Sequence, residues 1–313
     1  MIDKPIPPAK FRQIIPPNKK YVYFEDFANN PFRPDTTGYE LVNAGWLADF
    51  TLLVYGDETF VQKQAEQAGL TAAGFTIKFI SVDTTQCLVA HNDKFIVIAI
   101  RGTEIDNLWG AIADWAVNLE FKLEPDESGG QVHEGFRKLI NQAWPVIEAQ
   151  VRGIQADGVP RTLWITGHSL GAGLATLAAE RARRVANFAV SGVYTWGSPR
   201  VGDETFKQQY GEGGLADRTF RFVNNTDIVP KIPPGDAYTH VGLLKYIDAA
   251  GHLHDVADES SIEVETDPLS HFNAWKLRLE ARLDILIPSI FADHAPIYYA
   301  SYVWNNYAKG QNS

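Results

Sequence analysis

Residues 163–184 read "LWITGHSLGAGLATLAAERARR". A short run of strand-forming residues meets Gly167, then His168, Ser169, Leu170 and Gly171, and a helical pattern rich in alanine begins at once. The five residues from Gly167 to Gly171 fit the pattern G-x-S-x-G, and they lie where that pattern has mechanical meaning: between a buried strand and a helix. A serine at such a turn is forced into strained backbone angles, so small residues are needed on both sides to avoid the facing chain. The new helix N-terminus directs amide groups and a positive dipole end toward any nearby oxyanion. A plain strand–turn–helix also tolerates serine, so the chemistry depends on whether a base and an acid follow.

Working outward, "FTIKFISVD", "TQCLVAHND" and "KFIVIAIRGT" read as successive strands, the last almost continuously apolar, as expected of a strand covered on both faces. "LVNAGWLADFTLLVYG" and "ETFVQKQAEQAG" precede them with helical spacing. "VHEGFRKLINQAWPVIEAQVRG" predicts a long helix, kinked or broken near Pro145. Beyond the quoted stretch come strands in "VSGVYTWGSPRVG" and "RTFRFVNNTDIVP", an antiparallel hairpin in "HVGLLKYIDAAGHL", and a helix in "FNAWKLRLEARLDIL". Strands alternating with helices predict an α/β fold with a mainly parallel sheet flanked by helices. Neither an internal repeat nor a central linker is evident, so residues 1–313 are read as one domain. Seven prolines among the first 38 residues (Pro5, Pro7, Pro8, Pro16, Pro17, Pro31, Pro34) mark residues 1–38 as a Pro-rich arm wrapping that domain.

Composition narrows the function. A chain of 313 residues with 45% hydrophobic and 12% aromatic content has material for a large core. A net charge of −10 argues against nucleic acid as a partner, since phosphate binding needs a basic face. The single cysteine, Cys87, precludes an intramolecular disulfide or a cysteine-based metal site. The apolar runs are too short to span a bilayer, so no transmembrane segment is expected. The first residues have no apolar core of a signal peptide, which makes the cytoplasm the default expectation, with secretion left open.

Serine needs a base, and in the order Ser–Asp–His both partners lie downstream. Asp227, in "FRFVNNTDIVPKIPP", follows an apolar strand, at the strand edge where catalytic groups collect in open α/β sheets. Asp236 and Asp248 are weaker rivals, one after a Pro-Gly turn and the other in the hairpin. Five histidines follow Ser169 and Asp227: His240, His252, His254, His271 and His294. Chain order cannot choose among them; position favours His294, in a loop before an aromatic C-terminal helix. "GHLHDVADE" resembles a metal cluster superficially, but its histidines lack the i, i+4 spacing of a helical pair, and no metal is expected there.

Taken together, these blocks resemble the class 3 lipase family, the fungal-type triacylglycerol lipases and their bacterial relatives, of α/β-hydrolase fold. "IAIRGTE" is similar to that family's oxyanion strand and loop, and "VHEGF" to the start of the helix after it. "TWGSPRVGD", "NNTDIVPKIPP" and "DHAPIYY" are similar to its later strand, acid segment and histidine segment, in the family's order. The resemblance implies Ser169 as nucleophile, Asp227 as acid, His294 as base, and Thr103 and Leu170 as the oxyanion hole. It gives His168 and His133 supporting positions. The aromatic residue that follows the histidine in fungal members falls here at Tyr298, four residues on, one further than usual. It also implies a short helical lid at about residues 104–118, where Ile105, Leu108, Trp109, Ile112 and Trp115 recur at helical steps. Two tryptophans there suit contact with a lipid–water interface. The function implied is a serine carboxylic-ester hydrolase, a triacylglycerol lipase first, needing no cofactor and taking a lipid or other ester as its partner. Phospholipase, galactolipase or feruloyl-type esterase activity shares this chemistry, and a non-catalytic lipid-binding protein of the same fold is the alternative of another class.

Overall fold

The strand-like runs on both sides of the quoted turn pair into one eight-stranded sheet. The computed structural model describes residues 2–36, 38–102, 121–256 and 287–312. In spatial order the sheet comprises β1 (Thr76–Val82), β2 (Thr85–His91), β3 (Phe95–Ile100), β6 (Thr162–His168), β7 (Val190–Trp196), β8 (Thr219–Asn224), β9 (Leu243–Ile247) and β10 (Leu253–Val256). β4 (Leu123–Pro125) and β5 (Gln131–His133) form a separate hairpin. The five central strands, β3 to β9 in that order, are parallel, and antiparallel neighbours flank them at each edge. The hairpin expected around Asp248 is the β9–β10 pair.

The helices among the described residues are α1 (Phe11–Ile14), α2 (Leu41–Leu53), α3 (Glu58–Gln67), α4 (Glu134–Gln155), α5 (Leu170–Arg184), α6 (Glu204–Glu212), α7 (Ser289–Ala292) and α8 (Pro296–Asn312). Side chains alternate across a strand, and β3 shows what this does for the core. Phe95, Val97 and Ala99 join Trp164, Tyr194 and Phe222 in the apolar layer shared with α2 and α8. Ile96, Ile98 and Ile100 join Ile165 and Val193 in the opposite layer, shared with α4 and α5. Each such side chain contributes about 1.5–3 kcal/mol on full burial. A strand buried on both faces must be apolar at every position, and β3 is.

The break expected at Pro145 does not occur: α4 runs unbroken through it. Pro145 lies on the exposed side of the helix, where water can satisfy the carbonyl that the proline leaves without a donor. Phe136, Ile140, Ala143, Trp144, Ile147 and Val151 hold the other side in the core.

The N-terminal residues are tied to both α2 and α8. Tyr21, Tyr23, Phe24 and Phe32 are buried with Trp46 and Phe50 of α2. Lys4 exchanges two hydrogen bonds with Asn305 of α8: its amide donates to Oδ1 (2.7 Å) and its carbonyl accepts from Nδ2 (2.9 Å). The Lys4 ammonium donates to Tyr21 Oη (2.7 Å) and the Val22 carbonyl (2.9 Å), lies 3.5 Å from Asp49, and sits 4.8 Å over the Trp304 ring. Asp49 in turn accepts from Tyr21 Oη (2.6 Å) and the Phe24 amide (2.5 Å). Burial lowers the lysine pKa and raises that of Asp49, each partly opposed by the other's charge. Mutual attraction and hydrogen bonds together offset the cost of burying the pair, and removing one partner strands the other.

Two outcomes follow for stability. Lys4→Met leaves Asp49 buried without its cation and lowers unfolding free energy by about 3 kcal/mol in denaturant titration, whereas Lys78→Met on an exposed strand position changes it by less than about 0.5 kcal/mol. Equal midpoints for the two variants contradict the ion-pair account. Burial also lowers the pKa of His168, and of His133, below the ordinary 6.5. A histidine whose folded pKa is depressed contributes stability that is complete above pH 6.5 and is lost as pH falls toward the folded value. Tm should accordingly drop between pH 7.5 and 5.5; a flat profile over that range contradicts neutral burial.

Candidate active site

β6 ends at His168 and α5 begins at Leu170, so a single residue makes the turn. Ser169 has φ 59° and ψ −130°, a conformation that costs a non-glycine residue about 1–3 kcal/mol. Its amide donates to the Trp196 carbonyl (3.0 Å) and its carbonyl accepts from Ala172 (2.9 Å), which hold it between the sheet and the new helix. A Cβ on Gly167 would stand 2.2 Å from the Gly171 carbonyl oxygen, and one on Gly171 would stand 2.2 Å from that of Ile100. Both glycines permit a backbone approach that any side chain would prevent. Leu170 supplies the first-turn amide of α5, which has no acceptor within its own helix.

Asp227 and His294 come together from opposite ends of a 67-residue separation. The His294 Nδ1 lies 2.8 Å from Asp227 Oδ2 and 3.0 Å from Oδ1, and both side chains are fully buried. A carboxylate only accepts, so the proton resides on Nδ1 and neutral His294 keeps its lone pair on Nε2, the arrangement of a base. Asp227 is held by two further donors: the Val229 amide to Oδ1 (2.9 Å) and the Tyr299 hydroxyl to Oδ2 (2.5 Å). A Cβ on Gly197 would meet Asp227 Oδ2 at 2.7 Å and His294 Nδ1 at 2.8 Å, and this glycine has φ +55°. Trp196 and Gly197, adjacent at the end of β7, thus touch Ser169 on one side and the acid–base pair on the other.

A second group fixes the two loops to each other. Asp293 Oδ2 accepts from the Thr226 amide (3.1 Å), the Thr226 hydroxyl (2.7 Å) and Asn225 Nδ2 (2.9 Å), and Asn224 Nδ2 donates to the Asp293 carbonyl (2.8 Å). Burial raises the Asp293 pKa against the pull of these donors. The residue before the histidine therefore grips the three residues before the acid. The His168 ring lies against that of His294, centroids 4.4 Å apart, and its Nε2 is 2.6 Å from the His294 carbonyl oxygen.

Tyr299 was not legible from spacing, which drew attention to Tyr298. Both open α8, but the Tyr298 hydroxyl donates to the Pro7 carbonyl (2.9 Å) while Tyr299 reaches Asp227. One residue is a rotation of about 100° on a helix, enough to separate the two targets. Among the other histidines, His254 and His252 approach Asp248 on the β9–β10 hairpin, and His240 Nε2 is 2.7 Å from the Pro230 carbonyl oxygen. Thr103, His271 and the lid positions Ile105, Leu108, Trp109, Ile112 and Trp115 lie outside the described residues. Among the described residues, no group of His, Cys, Asp or Glu side chains is arranged to hold a metal ion, and no helix is long and apolar enough to cross a membrane.

The chain is similar to known proteins over this region. Residues 97–237 match the family described as lipase (class 3). The chain is 29% identical over 225 residues to phospholipase A1-II 6 of Oryza sativa subsp. japonica, covering 61% of this chain and 53% of that protein. It is 33% identical over 166 residues to a lipase of Rhizomucor miehei, covering 50% of this chain and 44% of the relative. The chain thus spans about half the length of the curated relatives it matches. Among solved structures, a lipase from Rhizopus microsporus var. chinensis superposes with a TM-score of 0.58 at 24% identity, covering 94% of this chain and 93% of that one. The shared architecture is the α/β-hydrolase fold. The family match spans the end of β3, the serine turn and the Asp227 loop, and over these residues the chain is similar to the class 3 lipases.

Proposed function

We propose that the protein is a serine carboxylic-ester hydrolase of acyl lipids, working as one domain with residues 1–38 as its arm and about 104–118 as its lid. Ser169 is the nucleophile, His294 the base and Asp227 the acid. The observation that carries this reading is the buried Asp227–His294 pair, with Nδ1 turned to the carboxylate, joined through Trp196 and Gly197 to a serine held at φ 59° on a strand-to-helix turn.

The chemistry follows from those roles. His294 Nε2 takes the Ser169 hydroxyl proton as Oγ attacks the ester carbonyl carbon, and Asp227 stabilises the imidazolium that forms. The tetrahedral oxyanion is held by the amides of Thr103 and Leu170; losing one such donor costs roughly 100- to 1000-fold in rate. The intermediate collapses as His294 returns the proton to the departing alkoxide, leaving an acyl group on Ser169. Water, deprotonated by His294, then releases the fatty acid. No cofactor enters these steps. Trp109 and Trp115, with Ile105, Leu108 and Ile112, give the lid an apolar side for a lipid–water interface.

A triacylglycerol is the first substrate reading, supported by the similarity to a solved structure described as a triacylglycerol lipase. The match to a rice protein named phospholipase A1 favours a phospholipid acyl ester as the second. Emulsified triglyceride and phosphatidylcholine vesicles, assayed side by side for released fatty acid, separate the two.

A fluorophosphonate probe should label the folded protein once, at Ser169, and fail to label Ser169→Ala. His294→Ala should lower turnover of p-nitrophenyl butyrate by about 10⁴-fold, while His252→Ala on the exposed hairpin leaves it unchanged. Unlabelled wild-type Ser169, or full turnover in His294→Ala, defeats the proposal.

A further inference from the structure

Tyr55 is buried just beyond α2, upstream of the residues that match the family, and its hydroxyl oxygen is 2.8 Å from His168 Nδ1. The direction of that bond can be worked out. The His294 carbonyl can only accept, so His168 Nε2, 2.6 Å away, carries the ring proton. Fully buried His168 is neutral, because desolvation and the nearby His294 both disfavour its cation. Nδ1 is therefore an acceptor, and Tyr55 is its donor. The tyrosine oxygen in turn accepts from the Gly102 amide. A Cβ on Gly102 would stand 2.5 Å from the Tyr55 hydroxyl, 2.8 Å from the His168 carbonyl and 3.2 Å from Ser169 Cβ, so the three groups meet with no space to spare.

We infer that Tyr55 is a positioning residue: its hydroxyl joins the end of β3, at Gly102, through His168 to the loop bearing His294. All four groups point one way, from the Gly102 N–H to the tyrosine O–H to His168 and on to the His294 carbonyl. Gly102 packs against Ser169, so the end of β3 beside the nucleophile and the loop bearing the base are joined through one buried chain. This rests on the ester-hydrolase reading of Ser169 and His294. Tyr55 touches neither substrate nor reacting atoms, so its removal should affect the chemical step and leave ground-state binding alone.

The test is a double-mutant cycle of Tyr55→Phe and His168→Gln on p-nitrophenyl butyrate, with melting curves and fluorophosphonate labelling of each variant. His168→Gln keeps a donor for the His294 carbonyl but replaces the fixed Nδ1 acceptor by an amide oxygen on a freely rotating side chain, so the rigid link to Tyr55 is lost. Tyr55→Phe should lower kcat about tenfold with KM within about twofold, and slow labelling by the same factor. 4-Aminophenylalanine at position 55, which retains donor and acceptor, should restore most of kcat. In the double variant kcat should fall no further than in His168→Gln alone, because both changes break one chain. Unchanged kcat in folded Tyr55→Phe, or losses that multiply in the double variant, would overturn the inference. If Tyr55→Phe fails to fold, His168→Gln decides it: kcat within twofold of wild type overturns the relay. Failure of wild-type Ser169 to label would instead condemn the underlying functional reading.

Discussion

A close backbone approach at the centre of the sheet governs the rest: the start of α5 presses against the ends of β3 and β6 with no room for a side chain at Gly167 or Gly171. That contact brings the Ser169 turn, the end of β3 and the first amides of α5 to one point. It also explains why Ser169 keeps a conformation costing about 1–3 kcal/mol. The five parallel strands and their two apolar layers over-determine the backbone on either side, so the strain cannot relax without separating β3 from β6.

From that fixed point the acid and base are placed by donors rather than by loop length. Asp227 receives His294, Tyr299 and the Val229 amide, and Asp293 receives three donors from Asn225 and Thr226. Asp227 is fully buried and Asp293 half-buried, and each would be costly to take from water without those partners. The result is that two loops 67 residues apart are tied directly to each other. α8 begins two residues after His294, and its middle is bound to Lys4 through Asn305, so the N-terminal residues also help fix where the base sits.

Much of this could be read from the chain because it is local. The G-x-S-x-G turn, the two-sided burial of Phe95–Ile100 and the β9–β10 hairpin each follow from residue periodicity and turn chemistry within about ten residues. Chain order left five histidines open, and the choice of His294 rested on a loop position and a family resemblance; the pairing with Asp227 is a tertiary fact. Tyr299 was missed for Tyr298 because the helical phase at the start of α8 depends on Pro296, Ala295 and the packing behind them. Tyr55 was invisible because its partner is 113 residues away and a tyrosine in an apolar helix reads as core. Pro145 does not end α4, since the carbonyl it leaves without a donor lies on the exposed side, where water can reach it.

The central claim is that Ser169 and His294 act as one unit rather than as two independent contributors. Residual ester turnover in Ser169→Ala, His294→Ala and the double variant measures this directly, since members of one catalytic unit are grossly non-additive. The account predicts that the double variant is no slower than the slower single variant. Losses that multiply would show two separate contributions, and would contradict it.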